Sequence, residues 1–144
     1  MEQEYNDVLS FAKKIWHSYL VDRNYTSILS YFDESLSWIG THQGKFFPFP
    51  KEALATACHK AGKDAKCLEI LRERYHPISL ADGLWLIVGF VLACTPGNED
   101  LLFLSVRFTA ICRRDEECGF KIIHFHTSVP SDPQEYAELF PASV

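Results

Sequence analysis

Hydrophobic positions along this chain recur mostly at helical spacing before Gly62 and at strand spacing after it, and the change divides it. Between Glu4 and Leu20 the apolar residues Val8, Phe11, Ala12, Ile15, Trp16 and Tyr19 recur at three- and four-residue spacing, which predicts an amphipathic helix with one buried stripe. Asp22-Arg23-Asn24 interrupts that stripe. Thr26 to Phe32 then predicts a short second helix running into a turn at Asp33-Glu34. A brief alternation over Ser35 to Ile39 predicts a first strand, followed by Gly40 and the aromatic loop GKFFPFP. Pro50 stands at the favoured first position of a third helix over 51–60, and Gly62 ends it.

Beyond Gly62 the period is two. Strands are predicted over 68–79, 84–95, 101–113 and 119–129, joined by Asp82-Gly83, by Pro96-Gly97-Asn98 and by a polar turn at 114–119. Residues 131–144, with Pro133 and Pro141, read as a surface tail with at most one or two helical turns. One domain over 1–130 and a tail over 131–144 is the organisation this implies. Helices first and an antiparallel meander afterwards predict an α+β fold, a curved antiparallel sheet wrapped around N-terminal helices.

On the last strand, alternation puts His124, His126 and Ser128 on one face and Ile123, Phe125, Thr127 and Val129 on the other. Turn lengths then set Arg107 opposite His126, Thr109 opposite His124, Val88 opposite Arg107 and Leu86 opposite Thr109. One face gathers Leu86, Val88, Phe90, Arg107, Thr109, His124 and His126, an apolar bowl with a few convergent polar groups, as a small-molecule pocket requires. Trp85, Ile87, Val91, Val106, Phe108, Ala110, Ile123 and Phe125 fall on the opposite face. That face is apolar too, more than three helices can share, so a second subunit is expected against it.

The bowl residues admit several roles. His124 and His126 suit ligand contact, acid–base work or structural hydrogen bonding. Arg107, if it points inward, needs a carboxylate from Glu73 or from a ligand. The HxH pair could hold a metal only with a third ligand such as His42, His76 or Glu73, and without a recognised spacing no metal is assigned. Tyr19, Trp16, Trp38 and Tyr75 fit an aromatic rim for a planar ligand or plain core packing. The Phe46-Phe47-Pro48-Phe49 loop suits a lid or an interface.

Composition narrows the classes. The 144 residues, 47% hydrophobic and 14% aromatic, suffice for one full core. Their net charge of -5, with no basic cluster beyond Arg113-Arg114 and Arg72/Arg74, argues against nucleic acid. The start lacks a basic segment followed by an apolar run, and the longest apolar stretch, Leu84 to Cys94, is broken by Gly89 and too short to cross a bilayer, so a cytoplasmic protein without membrane attachment is expected. Five cysteines without CxxC spacing read as free thiols.

The chain resembles the nuclear transport factor 2-like superfamily, in particular its SnoaL-like members and the association domain of calcium/calmodulin-dependent protein kinase II. The resemblance runs from Trp16 and Tyr19 through Phe32-Asp33-Glu34 and Trp38-Ile39-Gly40. It is most specific in Arg113-Arg114-Asp115, Phe120-Lys121 and the run His124-Phe125-His126-Thr127-Ser128-Val129-Pro130. It implies a cone-shaped α+β barrel with a cavity between helices and sheet, and homodimers through the outer sheet face. The family includes isomerases, dehydratases, polyketide cyclases, ligand binders and assembly domains. Where its steroid-isomerase branch carries a catalytic aspartate this chain has Ile39, and a basic position of the kinase hub's cavity corresponds to Phe90.

The resulting expectation is a homodimeric ligand-binding or sensory module without a cofactor. Its pocket set is Arg107, His124, His126, Thr109, Trp38, Tyr19, Tyr75 and Phe90, and its ligand a small, partly apolar molecule, a carboxylate being one form. An isomerase, dehydratase or cyclase using His124 or His126 as base, with Arg107 stabilising an oxyanion, is the second expectation, and an assembly domain the third.

Overall fold

The computed structural model describes residues 2–40, 50–61, 66–97 and 102–130. The aromatic loop at 41–49, His42 and the tail at 131–144 lie outside them. Helix α1 spans Glu2–Trp16, with Glu2 and Glu4 in its first turn and Lys13 and Lys14 in its last. That arrangement opposes the helix dipole at both ends. Its buried stripe is Val8, Phe11, Ala12, Ile15 and Trp16, as the spacing predicts. The helix does not stop there. His17–Val21 continues as a π-helical turn, closed by the Asp22 amide donating to the His17 carbonyl at 3.0 Å.

Helix α2, Tyr25–Ser30, is capped by Asn24, whose side-chain oxygen accepts from the Ser27 amide at 3.2 Å. Strand β1 is Phe32–Ile39, and α3 is Lys51–Ala61. The four long strands are β2 (Glu69–Ala81), β3 (Leu84–Cys94), β4 (Phe103–Asp115) and β5 (Gly119–Ser128). Positive φ at Gly83 and Gly119 supports the turns before β3 and β5. The five strands form one open sheet in the order β1-β5-β4-β3-β2. It is mixed rather than wholly antiparallel, because β1 runs parallel to β5.

The alternating sets of the meander survive, but their register and orientation differ from expectation. Arg107 pairs with Ser128 and Phe90, and Thr109 with His126 and Val88. Each pairing is displaced by two residues, which conserves faces. A bulge at Ile123 inverts parity within β5, so Ile122, not Ile123, shares a face with Phe125.

The larger correction concerns which face meets the helices. Trp85, Ile87, Val91, Val106, Phe108, Ala110, Ile122 and Phe125 join α1 in the core instead of meeting a second subunit. Trp16 packs on Phe108 and Phe125 with ring centroids 5.1 and 5.8 Å away, and Phe108 stacks on Phe125. Alternation separates two sets without saying which one a helix covers. The bulk of Trp85, Phe108 and Phe125 decides it, since these rings reach the flat stripe of α1.

Gly89 belongs to the covered face, between Tyr75 and Phe108. A Cβ there would stand 2.3 Å from the Arg74 carbonyl oxygen and 2.9 Å from the Phe108 ring. Its absence allows β2 and that ring to close over the strand.

Candidate functional site

The sheet divides the eight residues expected at the site. Phe90, Arg107, Thr109, His124 and His126 are together, but on the face turned away from the helices. Tyr19, Trp38 and Tyr75 are on the helix side, packed against the core. Arg107 is therefore not the buried cation the bowl reading requires. It is exposed, and its Nε donates to Ser128 Oγ at 2.9 Å. Glu73 is on the other face from Arg107 and from the HxH pair, so it serves neither as counter-ion nor as third metal ligand. Trp38 spends its indole N–H on the Pro50 carbonyl at 3.0 Å, tying β1 to the start of α3.

On the open face, successive rows across the sheet read Ser37, His124, Ile111, Leu86 and Ile78, then Ile39, His126, Thr109, Val88 and His76. The next rows read Ser128, Arg107, Phe90 and Arg74, then Ser105, Leu92 and Arg72. Val88 on β3 and Ile78 on the edge strand β2 are each 38% exposed. No described helix covers these rows.

Chemistry on the helix side converges on a residue that the sequence pattern casts in other roles. Glu73 and Tyr75 alternate onto one face of β2, and the π-turn brings His17 over them. Glu73 Oε2 accepts from Tyr75 Oη and, in the tautomer with its proton on Nε2, from His17 Nε2, each at 2.8 Å. Lys13 Nζ lies 3.7 Å from the other carboxylate oxygen. Burial pushes the Glu73 carboxyl up, but the bonds from Tyr75 and His17, with the charges of His17 and Lys13, outweigh it and hold it below its usual range. Burial, then the neighbouring carboxylate, pushes the Tyr75 phenol well above its own. Neutral phenol and ionised carboxylate are thus the resting pair.

His17 is legible in the sequence only as one more polar position of the first helix. The signal that would have found it is its spacing: Lys13 and His17 are four apart, one turn above one another, at the end facing β2. One residue before His17 in the sequence, the Trp16 Nε1–H is buried with no hydrogen-bond partner among the described residues. Tyr19 meets Trp16 and Tyr25 edge-on, at 6.2 and 6.0 Å. Tyr25 in turn lines a groove of about 660 Å³ between α2 and α3, walled also by Leu29, Ala55 and Cys58 and rimmed by Thr26, Thr56 and His59. That volume is within the range of small-molecule sites. Burial raises the Cys58 thiol pKa, which suits a wall more than a nucleophile. All five cysteines are free, and Cys58, Cys94 and Cys112 are buried.

Among the described residues no cluster of three or more potential metal ligands occurs, and no helix is long and apolar enough to cross a membrane. No family model matches the sequence, and no curated protein matches it. Solved structures do match in fold. An NTF2-like protein of unknown function from Pseudomonas putida is 15% identical, over 94% of this chain and 92% of its own, with a TM-score of 0.76. An NTF2-like protein from Streptomyces avermitilis, provisionally assigned as a dehydratase, is 11% identical over 91% and 99%, at 0.72. The association domain of C. elegans CaMKII is 7% identical over 89% and 97%, at 0.69.

Proposed function

From the NTF2-like fold that this chain shares with proteins of unknown function and with CaMKII association domains, we propose that it works as a homodimeric small-molecule-binding module. Two copies pair through the open sheet face, and each takes its ligand on the helix side, in the groove between α2 and α3. The observation that carries the reading is the asymmetry of the sheet. A two-layer domain covers one face with helices and leaves a solvent face polar. Here the second face presents Leu84, Leu86, Val88, Phe90, Leu92 and Ile111 instead. An area of that composition is seldom left wet, and another copy of the same chain is the partner every cell expressing it supplies.

Native mass spectrometry of the purified protein, with denaturing extraction of any small molecule, tests both halves. Two subunits with a defined extra mass are expected, and Val88→Asp gives monomers of unchanged circular dichroism. A monomeric wild type refutes pairing. Retention of the extra mass in Thr56→Trp, which fills the groove, refutes the binding site.

Acid–base catalysis is the second reading, favoured by one observation: His17, Glu73 and Tyr75 form a hydrogen-bonded set on the helix side. Such a set can exchange a proton with a substrate. Its agents differ from His124 and His126, which the sheet holds on the opposite side. Turnover of β-hydroxy carbonyl compounds, lost in Glu73→Gln and His17→Gln but kept in His126→Ala, would establish it, and no turnover in the wild type would remove it.

A further inference from the structure

Six arginines occur in the chain, and their pairing differs by location. Arg113 bonds to Asp33, and Arg114 to Glu4 and Asp82. Arg23 donates to the Lys66 carbonyl and lies over the Tyr19 ring. Arg72, Arg74 and Arg107, by contrast, are all exposed on the same end of the open face. Among the described residues none of these three has a carboxylate within 4.0 Å. The four rows from Ile78 to Arg72 contain no acidic residue. A chain of net charge -5 thus gathers three guanidinium groups that have no carboxylate partner among the described residues, on a face whose other members are aliphatic, aromatic, hydroxyl or imidazole side chains.

Geometry gives the concentration a focus. Arg74, Phe90 and Arg107 are side by side on β2, β3 and β4. With strands about 4.8 Å apart, the two arginines stand roughly 10 Å from one another across the ring, close enough for both side chains to reach one group above it. Ser128 occupies the Arg107 Nε, and the terminal nitrogens of that guanidinium have no carboxylate partner among the described residues. Two forks over an aromatic floor suit a planar or tetrahedral oxyanion.

We infer that the open face binds a phosphate or carboxylate group between Arg74 and Arg107 above Phe90, and that this anion strengthens the pairing of two copies. The inference rests on the pairing proposed above. Stacking the face on its own twin brings up to six guanidinium groups together with no acid from these rows to offset them. Desolvated like charges oppose association by several kcal/mol. An oxyanion in each site removes that opposition, and binding to the paired state raises its population by mass action.

Sedimentation equilibrium at constant ionic strength tests this with inorganic phosphate, acetate and chloride as probes. The dimer dissociation constant is expected to fall about tenfold or more in 50 mM phosphate relative to chloride, by linkage through two sites. Acetate matching phosphate marks a carboxylate site, and acetate matching chloride marks a phosphate site. Arg107→Gln and, independently, Arg74→Gln tighten pairing in chloride and abolish the anion effect, opposite to ordinary interface mutants. Equal constants in all three salts, or variants that weaken pairing equally in each, overturn the inference while leaving the pairing intact. If the chain is monomeric throughout, pairing itself fails. Phosphate titration of the arginine Nε–Hε resonances then decides the site: selective shifts of Arg74 and Arg107 uphold the anion site alone, and their absence removes it.

Discussion

Ile87 and Val88 are neighbours on β3, similar in size and chemistry, and they live in different surroundings. Ile87 is 1% exposed beneath α1, whereas Val88 is 38% exposed on the open face. The first belongs to a continuous aromatic and aliphatic core that fixes the fold. The second belongs to a surface with arginines, histidines and no described covering element. The contrast teaches that apolar content says where water is excluded, while the side chains interleaved with it say by what. Trp85, Phe108 and Phe125 accompany the face that packs intramolecularly. His76, His126 and Arg107 accompany the one that no described element covers.

The contrast is open to direct attack. Ile87→Ala should cost about 2–4 kcal/mol of unfolding free energy through lost contacts and a residual cavity. Val88→Ala, measured by urea melts at a concentration where the chain is monomeric, should cost well under about 1 kcal/mol, as a partly exposed position does. Equal losses would mean the two faces are equally buried in the isolated chain. Next in size is Gly89→Ala. A methyl facing the Arg74 carbonyl oxygen at 2.3 Å forces β2 or Phe108 to shift, and a loss of about 1–3 kcal/mol is expected, with near-ultraviolet circular dichroism reporting the displaced ring.

Glu73→Gln sharpens the comparison on the helix side. The amide keeps an acceptor for Tyr75 but loses the charge that draws His17 and Lys13, so a loss of about 1 kcal/mol is expected. Urea melts of the variant beside the wild type read that loss, and an unchanged melt would mean that the set contributes nothing to folding.

The smallest effect is a dependence on acid. Two bonds from Ser35, side chain and backbone, and then the Arg113 guanidinium hold Asp33 down at about 2 from its ordinary 3.8. Glu73 is held below its ordinary 4.5 by Tyr75, His17 and Lys13, against its burial. A depressed carboxyl binds protons more readily unfolded than folded, so both contributions are complete above the unfolded values and disappear as pH falls through the folded ones. Stability should be flat with respect to these groups above about pH 5.5 and decline toward pH 2. Asp33→Asn should remove the lower part of the decline, and a titration curve unchanged in that variant would contradict the assignment.

Much of the fold was legible. The α1 stripe is governed by local spacing, and Asp82-Gly83 is a turn that few other sequences make so readily, so each appears where the pattern puts it. The parity sets on β3 and β4 were legible for the same reason. Their orientation was not, because both sets are apolar and only ring contacts across forty or more residues choose between them. The parallel pairing of β1 with β5 was hidden too, since eight residues that alternate do not declare a partner. At the candidate site, Tyr19 and Tyr75 stand out in the sequence as aromatic groups and lie on the helix side, while their companions His17 and Glu73 are not recognisable as a pair. That pair depends on a distortion of the helix, and no residue type marks one.

The distortion is the π-turn at His17–Val21. In a regular helix the Asp22 amide would meet Ser18; here it meets His17, one residue earlier. Such a turn accommodates one residue beyond what α-helical winding holds, as an inserted residue would. Removing a residue from within that segment would restore ordinary winding without turning α1 against the chain that follows, because the bulge already absorbs the extra residue, and would change which residues there face Glu73 while leaving the composition nearly untouched. The hydrogen-bonded set of His17, Glu73 and Tyr75 is therefore encoded in chain length as much as in residue identity. Divergence at this site is open to single-residue gain or loss, a kind of change that comparing amino acids column by column records as a gap.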